Sequence, residues 1–434
     1  MKRFLRILHD YWFRPASLRD LAIARMVLVG SQLFLFMATM DIGYQVWLAK
    51  SDSLAFRALP TLKVLMAPFG WGVRPEPMFL QVVWYAGLIT GVTALIGLYA
   101  RPSLLLFAAI NTLIIAHVYS YGEGHHREAV MIIALWAIAL APSARALSVD
   151  AVRERIRFTR QGLTFAPHTP ADDLSPYARW PLLLVQWMFV LIYLSAATSK
   201  LRFGGLDWLN GYTLAYYAGH DGITRDAPLG VWVAGHLTIA RLLSVGALLF
   251  ELTFVLALIP RLAWIYVAAG FAVHLGIWFT QKAPFFQYLF VYVVFIESLR
   301  RWGPLRSRGP APVWTVVYDG LCPLCLRTMA LLDELDGRRC LRYLDLEHQW
   351  DAVHAAAPML TPEQARAAMH VIGPDGRVYR GFFAFRVLAR ALPILWTCLP
   401  FLYLPLATQA GPWIYRHVAE SRTRHLCRAE TCAV

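Results

Sequence analysis

Charge is what this chain has least of: Asp, Glu, Lys and Arg together supply 16% of its 434 residues. An ordinary soluble domain carries nearer a quarter, so a cytosolic globule is excluded. With 58% hydrophobic residues the chain cannot be a disordered one either. Cysteine is missing from the first 321 residues, close to three quarters of the chain. All six (Cys322, Cys325, Cys340, Cys398, Cys427 and Cys432) fall in the remainder, which excludes a disulfide-stapled framework and marks a second domain with its own chemistry. A short apolar core with a cleavage site is also lacking behind Lys2, Arg3 and Arg6, so no removable signal peptide is expected.

What is abundant is apolar and aromatic: 16 Trp, 19 Tyr and 24 Phe, as in a bilayer protein with aromatic interfacial belts. Eight segments are apolar enough to cross a hydrocarbon core about 30 Å thick: 21–40, 79–98, 103–121, 129–147, 181–199, 238–259, 262–281 and 284–299. The excess of 41 basic over 27 acidic residues, +14, sits mostly between these runs and reads as positive-inside topology, not nucleic-acid binding. With eight spans the basic loops share one side, the 143–180 loop with Arg145, Arg153, Arg155, Arg157, Arg160 and Arg179 foremost. The expectation is a multi-pass protein of the bacterial inner membrane with both termini cytoplasmic. The fold class is an all-α membrane bundle at 1–300, a Pro/Gly/Arg linker at 301–312, and a small α/β thioredoxin-like domain at 313–434.

The tail reads strand, CxxC, helix, strand, helix, hairpin, helix: "VWTVVY", "CPLCLRTMALLDELD", "CLRYLDL", "TPEQARAAM", "HVIGPDGRVYRG" and "FFAFRVLARAL". A thiol at a helix N-terminus meets unpaired N–H groups and the positive end of the dipole, which favours the thiolate. Cys322 is therefore expected to attack and to be the more exposed, with Cys325 resolving from one turn inside. Two plainer readings stand beside it. Zinc would need Cys427 and Cys432 as further ligands at unusual spacing, and buried inert thiols are the other. "VVYDGLCPLC", "GPDGRVYRGFFAFRVLARALP" and "WIYRHVAESRTRH" resemble the DCC family of thiol-disulfide oxidoreductase-like domains over about 313–425. That resemblance implies a redox-active disulfide exchanging with a peptide or protein thiol. Unlike ordinary thioredoxins, the sequence shows no obvious cis-Pro loop opposite the CxxC.

Within the membrane part, Lys200 ends the fifth span in "YLSAATSKLRFGGLDWLNGYTLAYY". It reads either as a snorkelling interfacial lysine or as a partly desolvated base. Glu251, mid-span, is costly there and implies a cavity or a partner. Asn111 and His117 read as interhelical bonds; His220 and Asp221 line a substrate mouth or are simply solvated. Metal binding by His125 and His126 is disfavoured because adjacent helix positions point apart.

The pattern around Lys200, Trp208 and Tyr212, with "GHHREAVMIIALW…ALSVDA" and "GFAVHLGIWFTQKAPFFQY", resembles the transmembrane core of vitamin K-dependent gamma-carboxylase and its bacterial HTTM relatives. That resemblance implies a quinone or vitamin K-like lipid cofactor, Lys200 as the base and His126 as an oxyanion donor. His274, Glu251 and Trp208 would then line the pocket. No propeptide-binding module is legible, so carboxylation of a peptide stands as an alternative, as does a lipid-binding scaffold with a redox-sensing tail. A lysine on the outer face and a cytosolic dithiol would be separated by about 30 Å of hydrocarbon, a gap only a mobile lipid could couple.

Overall fold

A computed structural model describes residues 2–51, 56–70, 74–122, 126–162, 165–305 and 312–421; the side chain of His126 lies outside that description. The chain divides into two compact units, Met1–Arg145 with Leu174–Ser307, and Ala146–Asp173 with the C-terminal part from Arg308. The second unit thus takes in a segment that the sequence presents as a basic loop between spans.

The first unit is helical. Among the described residues six helices are long and apolar enough to cross a membrane: Leu18–Met37, Pro77–Ile96, Ala100–Tyr119, Pro176–Asn210, Leu237–Leu258 and Ala263–Gln281. Two of the eight expected spans are shorter helical stretches. The 129–147 stretch yields the 15-residue helix His126–Leu140, apolar over Glu128–Leu140. The 284–299 stretch runs without a gap through Phe286–Val291, a 3₁₀ turn Tyr292–Phe295, and Ile296–Trp302.

Local chemistry sets the ends. Ser17 caps the first span by accepting from Asp20 N–H at 3.1 Å. Pro77 opens the second span, and Gly97 closes it at φ +72°. Inside the bundle a Cβ on Gly91 would fall 2.7 Å from Leu33 and 2.8 Å from the Phe107 ring, so a small residue permits that approach. Asn111 accepts from Gln32 at 2.8 Å, the interhelical bond expected of it. His117 packs edge-on against Tyr121. His220 lies on a helix, Tyr212–Thr224, beside Asp221, and not in a loop.

The second unit is built on a four-stranded sheet: β1 (Trp314–Tyr318), β2 (Leu341–Asp345), β3 (His370–Ile372) and β4 (Val378–Arg380), in the order β2-β1-β3-β4. β1 and β2 run parallel, with Val316 opposite Tyr343; β3 and β4 are antiparallel additions. We number the helices of this unit α1 (Val149–Gly162), α2 (Pro323–Leu335), α3 (Trp350–Ala356), α4 (Pro362–Ala367), α5 (Phe382–Ala391) and α6 (Pro405–Glu420). α2 crosses over between the parallel strands, as such a pair requires. Thr361 and Gln364 form a capping box at the start of α4. One core lies under α2 and α5 (Val316, Leu326, Met329, Val371, Leu388), with Phe165 packed against it; a second lies under α3 and α4 (Val317, Leu344, Val353, Ile372).

Residues 146–173 are held to α2 by charge. Asp333 accepts from Arg155 at 2.9 Å and from the His168 backbone N–H at 3.0 Å, with the His168 ring 2.8 Å away. Burial alone would raise the Asp333 carboxyl, but the His168 bonds and the Arg155 charge hold it below the usual carboxylate range. Arg339 donates to the Asp173 carboxylate and to the His168 and Thr169 carbonyls.

Candidate functional site

The dithiol site forms where β1 ends. Asp319 and Gly320 turn the chain: Leu321 N–H donates to the Asp319 carboxylate at 3.0 Å, and Cys322 N–H to the Asp319 carbonyl at 3.2 Å. Gly320 N–H donates to Asp345 at 3.0 Å, and a Cβ there would sit 2.1 Å from that carboxylate, so this close approach needs glycine. Cys322 is the N-cap of α2 and Pro323 its first residue; the Cys322 sulfur accepts Cys325 N–H at 3.3 Å. This is the helix-start geometry that the CxxC spacing implies.

The exposures run opposite to expectation. Cys322 is 0% exposed, whereas Cys325 is part-exposed. Cys325 faces a cavity of about 330 Å³. The reason is that an N-cap side chain tucks back over the first turn, while the residue three later on α2 points outward. The cavity is walled by Leu324, Met329, Met369, Phe382, Phe385 and Ile414, with Tyr318, Asp319, Thr328 and Tyr415 among its polar members.

Opposite the CxxC, Ala368 and Met369 lead into β3, and no cis peptide bond occurs among the described residues. Met369 spends both backbone groups internally: its N–H donates to the Tyr415 hydroxyl at 2.9 Å, and its carbonyl accepts Gly381 N–H at 2.9 Å. Gly381 adopts φ +58°, and a Cβ there would meet the Tyr415 ring at 2.9 Å. Asp319, Met369 and Tyr415 were not picked out by sequence reasoning. The aspartate three before the first cysteine was legible; the other two depend on tertiary contact.

Of the other cysteines, Cys340 is buried and hydrogen-bonded to Asp336, and burial followed by the Asp336 charge pushes its thiol up to about 12. Cys398 is exposed. Cys427 and Cys432, the proposed extra zinc ligands, lie outside the described residues. No group of three or more His, Cys, Asp or Glu gathers as a metal site among the described residues.

In the first unit Lys200 forms an ion pair with Glu251, and its ammonium stands 5.4 Å from the Trp208 ring centroid. These three expected pocket residues therefore meet. Glu251 Oε2 and Trp208 Nε1 are buried and find no hydrogen-bond partner among the described residues. His274 sits in a different cluster: its Nε2 is 2.9 Å from the Tyr193 hydroxyl, which also bonds the Tyr292 hydroxyl, under the stacked ring of Phe189. Tyr193 and Lys200 are seven residues apart on one helix, two turns or about 10 Å along its axis. The His126 side chain falls outside the described residues, so its expected role meets no geometry.

No curated protein and no solved structure matches this chain. Residues 316–428 match the family of DCC1-like thiol-disulfide oxidoreductases, so the chain carries a DCC1-like redox domain behind a set of apolar, membrane-length helices.

Proposed function

We propose that the chain is a membrane-anchored thiol-disulfide oxidoreductase whose working pair is Cys322 and Cys325. The observation that carries this is the Cys322 sulfur at the N-terminus of α2 accepting Cys325 N–H, in a domain matched to a redox family. The β2-β1-β3-β4 order with a parallel first pair supports the thioredoxin-like reading of this domain. The test is a dithiothreitol redox titration of the full chain, read by alkylation mass shift of peptide 322–325. A single two-electron transition, lost in Cys322→Ser and in Cys325→Ser, is expected. A pair that stays reduced at every poise refutes the reading.

The bundle supports a second, linked proposal: a quinone-type lipid held near Lys200, Glu251 and Trp208, with His274 shaping the pocket through Tyr193. The favouring observation is the ion pair with two buried polar atoms beside it. A lysine base must first give up its proton, and Glu251 is the acceptor within reach. Lys200→Arg keeps the charge but cannot serve as that base, so a folded, lipid-loaded and inactive variant supports the role. Mass spectrometry of the lipid that co-purifies tests the cofactor itself. The basic loops support a bacterial inner-membrane location with both termini cytoplasmic. A reporter fused after Val434 that works only in the periplasm would reverse that topology.

A further inference from the structure

We propose that the cavity beside Cys325 binds an uncharged, lipid-soluble small-molecule disulfide, a substrate class that rests on the thiol-disulfide reading above. Three features select it. The cavity, about 330 Å³, has predominantly apolar walls and is of a size to take a small ligand. Its lining includes the Asp319 carboxylate and no Lys, Arg or His, so an anionic thiol such as an acidic peptide finds no countercharge there. The Met369 N–H and C=O, backbone groups of the cavity wall with which an extended polypeptide could pair, are already bonded to Tyr415 and Gly381.

The wall formed by α6 points to where such a ligand comes from. Tyr415 and Ala419 of α6 line the cavity, while Leu406 and Trp413 of the same helix, and Phe401 just before it, stand exposed. The segment Pro393–Leu402 and α6 form an apolar pair bent by 105°. Arg386 and Arg390 lie over the Tyr403 ring, at 4.1 and 4.4 Å. Exposed aromatics edged by arginine are the composition of a segment lying against lipid headgroups, and a ligand dissolved in the bilayer would reach the cavity past it.

The chemistry balances as one half-reaction that starts from the reduced Cys322–Cys325 pair. The Cys325 thiolate attacks one ligand sulfur, forming a Cys325–S bond and expelling one thiolate, which takes up a proton. The Cys322 thiolate then attacks the Cys325 sulfur and expels the second. Two electrons pass to the ligand, which leaves as two thiols, and the protein keeps a Cys322–Cys325 disulfide.

The test uses the reduced full chain in detergent. Cys325 is alkylated with N-phenylmaleimide and, separately, with a sulfonated maleimide of similar size. The exposed Cys398, on the same bent pair, serves as reference for partitioning into the micelle. The apolar reagent should be favoured at Cys325 at least tenfold over its advantage at Cys398. Ala419→Phe, which fills the cavity, should collapse that excess; Ala365→Leu replaces it if the first variant does not fold. Dibenzyl disulfide should oxidise the pair faster than oxidised glutathione. An equal reagent ratio at the two cysteines, or an excess that survives cavity filling, overturns the site. Faster oxidation by glutathione or by a peptide disulfide overturns the ligand class. If the reagent preference holds but no disulfide oxidises the pair, the redox reading fails and the apolar site stands.

Discussion

The Tyr415 hydroxyl accepts Met369 N–H at 2.9 Å, so the last helix is fastened to the chain just ahead of β3 by one side-chain bond across 46 residues of sequence. Tyr415→Phe removes it while keeping the ring against Gly381. The expected cost is about 1 kcal/mol, read as a lowered melting temperature for the redox domain, with the Cys322–Cys325 titration unchanged. An unaltered melt would mean that the bond contributes nothing.

The cysteines should separate by reactivity. At pH 8 the exposed Cys398 reacts first, Cys325 next and Cys322 after it. Cys340, its thiol pushed up to about 12, stays unlabelled until the fold is opened. Time-resolved iodoacetamide labelling with peptide mapping checks the order, and early labelling of Cys322 ahead of Cys325 contradicts it.

The Lys200–Glu251 pair makes a prediction through its asymmetry. Lys200→Met strands a carboxylate whose second oxygen already lacks a partner. For a pair that is only partly buried, the loss should be about 1–3 kcal/mol. Lys200→Met with Glu251→Met should regain most of it. Thermal unfolding in detergent distinguishes these, and a double variant no better than Lys200→Met would show that the pair is not coupled.

Acid should loosen the redox domain through His370. Burial lowers this imidazole from the ordinary 6.5 to about 4, so the folded state holds it neutral while the unfolded chain takes up a proton. Its contribution is complete above pH 6.5 and is lost progressively as pH falls from 6.5 towards 4, in all about 2 kcal/mol after screening. Hydrogen exchange of the β3 amides against pH reads this directly. His370→Phe should flatten the dependence over that window.

What could be read in advance was local. The CxxC at a helix entrance, the Thr-Pro cap before α4 and the Pro-Asp-Gly hairpin all depend on neighbours within a few residues, and each formed. Lys200 and Glu251 were also picked out, because a charge in an apolar run is conspicuous and needs company, and Trp208 through the family resemblance. What failed was non-local. Arg155 reads as a topology signal and His168 as nothing in particular, because their partner, Asp333, is more than 160 residues away.

That last distance has a consequence for biosynthesis. Phe165, Arg155 and His168 leave the ribosome well before the strands and helix they pack on. At translation rates of about 5–20 residues per second, the segment waits on the order of ten seconds or more for its partners. During that interval a basic, part-apolar stretch stands uncovered between two membrane insertions. Truncating the gene after the last apolar span would leave it uncovered for good, and a fragment beginning at the linker would lack the piece that closes its own core. The redox domain is therefore completed last, and only in a chain whose membrane part is already made.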